Sequence, residues 1–146
     1  MTDRLSPEQR SANMAKVRGK DTRPEMVVRR LLHKMGYRYR LHARDLPGRP
    51  DIVFRKRRKA IFVHGCFWHR HEGCPRATVP STRQEFWTAK FQANVDRDAC
   101  ARLALEAAGW EVMVVWECDL RAQEQLAERL ARFMIVEPDT EEAARE

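Results

Sequence analysis

Apolar and polar positions follow two rhythms along this chain, and the switches between them mark its elements. Met26, Val27, Leu31, Leu32 and Met35 recur at helical spacing. They follow Thr22-Arg23-Pro24-Glu25, which has the form of a capping box in which Thr22 reaches forward and Glu25 reaches back. Gly36 ends this helix. Tyr37, Tyr39 and Leu41 then alternate with Arg38, Arg40 and His42, the period of a half-buried strand. The turn cluster Leu46-Pro47-Gly48-Arg49-Pro50 leads into a strand that Asp51 opens and Ile52-Val53-Phe54 continues. Arg55 to Lys59 reads as a basic hairpin turn, and Ala60-Ile61-Phe62-Val63-His64 as the return strand, apolar enough to be central.

After a long irregular stretch, Thr82-Arg83-Gln84-Glu85 repeats the capping-box pattern. It opens a helical region to Ala108, as one helix or two, with Phe86, Phe91, Val95, Leu103 and Leu105 among its apolar positions. Gly109 closes it, Trp110 to Trp116 is a buried strand, and Leu120 to Met134 is a last amphipathic helix. This order predicts an α/β fold, a central mixed β-sheet flanked by helices. A length of 146 residues fits one domain. It divides into a polar, basic arm (1–21), the domain (22–136) and an acidic tail (137–146) expected to be disordered.

Charge adds a partner. Residues 1–60 hold 18 Lys+Arg and 6 Asp+Glu, a net of +12, whereas residues 61–146 hold 10 and 15, a net of −5. A basic half beside an acidic half points to a polyanion docked on one side. No apolar run approaches the roughly 18 residues of a membrane helix. The N-terminus lacks the apolar core of a signal peptide. A cytoplasmic, reducing location is therefore expected, where Cys66, Cys74, Cys100 and Cys118 are metal ligands or free thiols rather than disulfides. Cys100, inside the long helix, reads as a small buried residue.

The stretch from Gly65 to Thr82 is too long for an ordinary connection and is expected to be functional or metal-held. His64, Cys66, His69, His71 and Cys74 crowd into it and its edge, and Cys118 lies at the end of the last strand. These are the ligand types of structural zinc, but there are more of them than one tetrahedral ion takes. A set of free thiols and surface histidines is the competing reading. Asp51, at the start of one hairpin strand, should face the end of its partner at Val63-His64. A carboxylate there suits Mg²⁺, with His64 or His69 as a base for activating water. An Asp that merely bonds its own backbone is the alternative. Phe67-Trp68 is an aromatic pair in a polar loop, where any single large aromatic more often plugs into the core. Adjacent residues rarely both point inward, so an exposed pair suited to stacking on bases is expected.

The motifs Leu46-Pro47-Gly48-Arg49-Pro50-Asp51, Val63-His64-Gly65-Cys66-Phe67-Trp68-His69-Arg70-His71, Pro80-Ser81-Thr82-Arg83-Gln84-Glu85-Phe86-Trp87 and Val115-Trp116-Glu117-Cys118 resemble the very-short-patch repair (Vsr) endonucleases. The likeness runs from about Ser11 to Leu120. It implies a fold related to type II restriction endonucleases. It also implies a Mg²⁺-dependent nick 5′ of the thymine in T:G mismatches left by 5-methylcytosine deamination. By the same resemblance Mg²⁺ falls to Asp51 and the main-chain carbonyl of Val63, with His64 and Glu25 contacting it through water. His69 matches the general base and Asp98 its orienting carboxylate. Structural Zn²⁺ falls to Cys66, His71, Cys74 and Cys118. Phe67, Trp68 and Met14 match the intercalating residues, and DNA contacts are expected from Arg18, Arg49, Trp87 and Lys90. The implied partner is duplex DNA with a T:G mismatch, met by a monomer that works beside DNA repair proteins. A non-catalytic zinc-containing DNA-binding protein and a nuclease cutting matched duplex are the competing functions.

Overall fold

The structure, a computed structural model, describes residues 22–135. The arm with Met14 and Arg18, and the tail, lie outside the described residues. Helix α1 (Arg23–Lys34) is followed by three antiparallel strands, β1 (Arg40–Leu41), β2 (Ile52–Phe54) and β3 (Lys59–His64). Helix α2 (Gln84–Ala107) then crosses to β4 (Glu111–Trp116), which pairs parallel to β3. A 3₁₀ segment (Glu117–Ala122) and helix α3 (Gln123–Ile135) complete the described chain. The sheet is mixed and four-stranded, in the order β1-β2-β3-β4. No helix among the described residues is long and apolar enough to cross a membrane.

Alternation across β2 and β3 divides the core between the two faces of the sheet. Ile52, Phe54 and Ile61 meet Val28 and Leu32 of α1 and Leu126, Leu130 and Met134 of α3 on one face. Val53, Ala60 and Phe62 meet Leu105 of α2, with Ala43 and Trp110, on the other. The Leu46–Pro50 turn seats against α2, and Gly48 is what lets it. Its φ is +72°, and a Cβ there would stand 2.5 Å from that of Ala101.

Several sequence expectations are corrected. The strand expected over residues 37–42 shrinks to Arg40–Leu41, and His42 turns out of its far end at φ 49°. Tyr37 and Tyr39 still pack edge-on against Phe54. Helix α2 is a single helix, and the second capping box does not form. Arg83, not Thr82, is its N-cap, in a left-handed conformation without a side-chain cap bond. Much of α2 stands clear of the sheet, so Cys100 is exposed rather than buried, as are Phe86, Val95 and Leu103. Lys59 is not part of the basic turn. It is fully buried in β3, 3.3 Å from Glu111 and over the Phe133 ring. Of the turn residues, Arg55 is held bidentate by Asp45 and Arg58 donates to the Ala108 carbonyl. This turn is also at the opposite end of the hairpin from Asp51 and His64.

Candidate active site

The register of the sheet assembles the site at one edge. Asp51 immediately precedes β2, and His64 ends β3 opposite Trp116, the last residue of β4. The strand-end geometry read from the sequence is present: the Val63 backbone N–H donates to Asp51 Oδ2 at 2.7 Å. Burial pushes the Asp51 carboxyl up to about 6. The Val63 bond opposes that rise and the neighbouring negative charge of Glu25 adds to it.

Glu25 reaches this edge from α1. Thr22 does cap the helix, its Oγ1 accepting from the Glu25 amide at 3.4 Å. The reciprocal half of the capping box is diverted. The Glu25 side chain, 2% exposed, turns inward to Arg29 and to His42 Nε2, the latter at 2.8 Å. Charge-assisted bonds in a buried setting outcompete a bond to a helix-end amide that water can satisfy. Glu25, His42 and Asp51 offer ligand atoms within 4.8 Å of one another. His42 was missed in the sequence, where it reads as the outward face of a strand.

A second cluster, His64, His69 and Asp98, lies on the other side of the cleft. His69 Nδ1 is 2.6 Å from Asp98 Oδ2. A carboxylate only accepts, so Nδ1 carries the proton, and in the neutral ring Nε2 holds the free lone pair. His64 stacks flat on His69, with ring centroids 3.8 Å apart. Burial, and next the adjacent His69, push the His64 pKa down to about 3, so it is neutral at physiological pH. Its Nδ1 is buried without a hydrogen-bond partner. Glu25, Asp51, Val63, His64, His69 and Asp98 together line a cleft of about 570 Å³. Arg49, Asn94, Arg97, Phe67 and Trp68 complete its walls.

Behind the cleft, Cys66, His71, Cys74 and Cys118 converge on one point. His71 Nδ1 lies 3.6 Å from Cys66 Sγ and 3.3 Å from Cys118 Sγ. The His71 ring stacks on Trp116 at 4.2 Å. Burial raises the Cys66 thiol to about 12 and raises Cys118 as well. Cys74 is lowered, chiefly by a backbone N–H at Arg76. Arg70 is the other anchor of this loop and carried no sequence signal. It donates to the carbonyls of Phe67, Ala77 and Thr78, and its guanidinium sits 4.0 Å over the Phe91 ring.

The exposed aromatic pair expected from the sequence is not exposed. Trp68 is 7% exposed and Phe67 is half-buried. Both pack against Trp87 and Phe91 of α2. The first turns of α2 offer them an apolar shelf, and the contact removes large ring surfaces from water. Lys90 lies 5.8 Å over the Trp68 ring.

A family model described as DNA mismatch endonuclease Vsr matches residues 2–76. A type II nicking enzyme of Xanthomonas oryzae pv. oryzae, V.XorIIP, is 54% identical over 134 residues, covering 92% of this chain and 98% of its own. A second type II nicking enzyme, V.NmeAIP of Neisseria meningitidis serogroup A, is 40% identical over 92% of this chain and 95% of its own. The DNA mismatch endonuclease Vsr of Escherichia coli K12 is 43% identical over 128 residues, 88% of this chain and 81% of its own.

Proposed function

The chain belongs to the Vsr family of endonucleases, and on that premise we propose that it nicks one DNA strand 5′ of the thymine in a T:G mismatch. The reading is supported by one observation above the others. Asp51, Glu25, His64, His69 and Asp98, contributed by α1, the hairpin, the following loop and α2, face a single cleft. A mixed sheet with a carboxylate at a hairpin edge also supports kinship with type II restriction endonucleases.

The donor sets fit two different ions. Hard carboxylate oxygens, close together and buried enough to raise a carboxyl pKa, suit Mg²⁺. Asp51 and the Val63 carbonyl would hold it directly, with His64 and Glu25 acting through water. Three thiols and an imidazole on one point suit tetrahedral Zn²⁺, which would hold the loop to the end of β4. When bound, Mg²⁺ supplies charge neutralisation at the phosphate and at the leaving oxygen.

The remaining chemistry belongs to side chains. His69 Nε2 takes the proton of the attacking water. Asp98 holds the ring in the required tautomer and stabilises the imidazolium that results. Arg49 and Arg97 stand in the cleft wall to meet phosphate oxygens, and Trp87 and Lys90, nearer the start of α2, contact the same DNA. Phe67 and Trp68 enter the base stack, which costs least where a mismatch has already weakened it. Met14 and Arg18, in the arm, serve the same DNA. The enzyme works as a monomer in the cytoplasm, beside repair proteins that complete the patch.

Purified protein with Mg²⁺ and end-labelled duplexes tests this. A single nick beside the mismatched T, with the matched duplex intact, is expected. Binding without cleavage in any divalent metal removes the catalytic reading, and cleavage of both duplexes removes the mismatch specificity. His69→Ala should lower kcat by about 10²–10⁴-fold. Asp98→Asn should fall in the same range, because an amide can donate to Nδ1 and favour the wrong tautomer. Mismatch binding, read by mobility shift, should survive both changes. An Asp98→Asn enzyme with near-normal kcat contradicts the dyad.

A further inference from the structure

His42 belongs to neither cluster that the sequence singles out, yet it bonds the Glu25 carboxylate and the Asp51 main chain at the metal edge. Its Nε2–H donates to Glu25 Oε2 at 2.8 Å. Its backbone N–H donates to the Asp51 carbonyl at 3.0 Å. Arg29 binds the same Glu25 oxygen, so Oε2 is held from two sides. The backbone of His42 is left-handed, at φ 49°. A non-glycine residue in that region costs free energy, and such positions persist where the surrounding structure demands them. Here the left-handed turn does a specific job. It breaks the strand at Leu41 and swings the imidazole back toward α1, while the amide stays bonded to the residue that opens β2.

We propose that His42 is a positioning residue of the divalent-cation site, bonding Glu25 and Asp51 at once and so fixing the distance and aim between their carboxylates. The inference rests on the reading of Asp51 as a metal ligand. Without the imidazole, what Glu25 keeps among the described residues is the Arg29 contact within its own helix, which does not tie α1 to the hairpin. Partners that orient the groups around a metal change affinity or activity by about 10–100-fold when removed.

The test uses the full chain titrated with Mn²⁺ as the probe, by calorimetry, alongside nicking kinetics and thermal melts. His42→Asn tolerates the left-handed backbone but is too short to reach Glu25. It should weaken Mn²⁺ binding by about 10–100-fold and lower kcat. The KM for mismatched duplex should stay within about twofold and the melting point within a few degrees, since the DNA-facing surface and core are untouched. His42→Gln places an amide nitrogen near the Nε2 position and should recover most of the loss. Wild-type Mn²⁺ affinity in His42→Asn overturns the proposal, as does a His42→Gln protein no better than His42→Asn. Asp51→Asn separates the two levels. If it loses Mn²⁺ binding while His42→Asn keeps it, only the role of His42 falls. If Asp51→Asn binds as wild type does, the metal reading of Asp51 falls and that of His42 with it.

Discussion

Asp51→Asn is expected to abolish nicking and, in the same protein, to raise the melting point measured without divalent metal. The first effect follows from the loss of the carboxylate that would hold Mg²⁺, and should exceed about 10³-fold in kcat/KM, several kcal/mol of transition-state stabilisation. The second follows from the cost of the buried charge. Burial lifts the carboxyl from its ordinary value to about 6 in the folded chain. A group whose folded pKa is raised contributes stability that is whole below its unfolded pKa and is lost as pH rises through the folded one. At pH 8 the ionised Asp51 therefore destabilises the metal-free protein, by roughly 3 kcal/mol at 1.36 kcal/mol per pKa unit. An asparagine can still accept the Val63 N–H and carries no charge. The variant should melt several degrees above wild type at pH 8, with the gap closing below pH 6 and gone near pH 4. Adding Mg²⁺ should stabilise wild type and leave the variant unmoved. A variant that melts at or below wild type at pH 8 contradicts the argument.

Cys118→Ser is expected to release one equivalent of zinc, lower the melting point by about 10 °C or more, and silence an active site it does not touch. Cys118 is the sole member of its cluster outside the loop, so it is the ligand through which a bound metal would tie that loop to the end of β4. His69 sits between two members, Cys66 and His71, so the cluster's geometry sets where the His69 ring stands. Structural zinc is worth about 10–16 kcal/mol in small domains that fold only with metal. Here only part of that should appear as lost stability, because the core formed by α1, α3 and the sheet does not depend on the loop. Far-UV circular dichroism should change little, while near-UV signals from Trp68 and Trp116 collapse. Zinc affinity should fall as pH drops, since buried thiols must shed protons to bind and protons compete for them. A Cys118→Ser protein that holds zinc and nicks normally would contradict the cluster.

The elements were legible where periodicity was strong. The hairpin, the central place of β3, the existence of β4 and both flanking amphipathic helices were readable as pattern. So was the meeting of Asp51 with Val63, which needed only strand pairing. What escaped were residues whose role depends on a turn or a buried exchange. The fully buried stripe of α1 is Glu25, Val28, Arg29 and Leu32, and its two charged members made the apolar face read one step off. His42 looked outward because only its left-handed backbone brings it in. Lys59 read as part of the basic turn until its burial beside Glu111 was in view, and nothing in the sequence pointed to the loop carbonyls that Arg70 collects. The aromatic pair was legible as unusual but not as packed, since its shelf on α2 begins some twenty residues further along the chain.

If Phe67 and Trp68 wedge into DNA as proposed, that shelf makes their entry an exchange reaction. Phe67 and Trp68 already have ring partners in Trp87 and Phe91, so a base step must offer more than the contacts it displaces. A well-stacked step charges for its own disruption as well, and the trade runs backward. A loosened step removes that second cost, and the trade can run forward. Lesion preference would then come from a balance between two competing stacks, one of them carried by the protein itself, with no hydrogen bond to a base required.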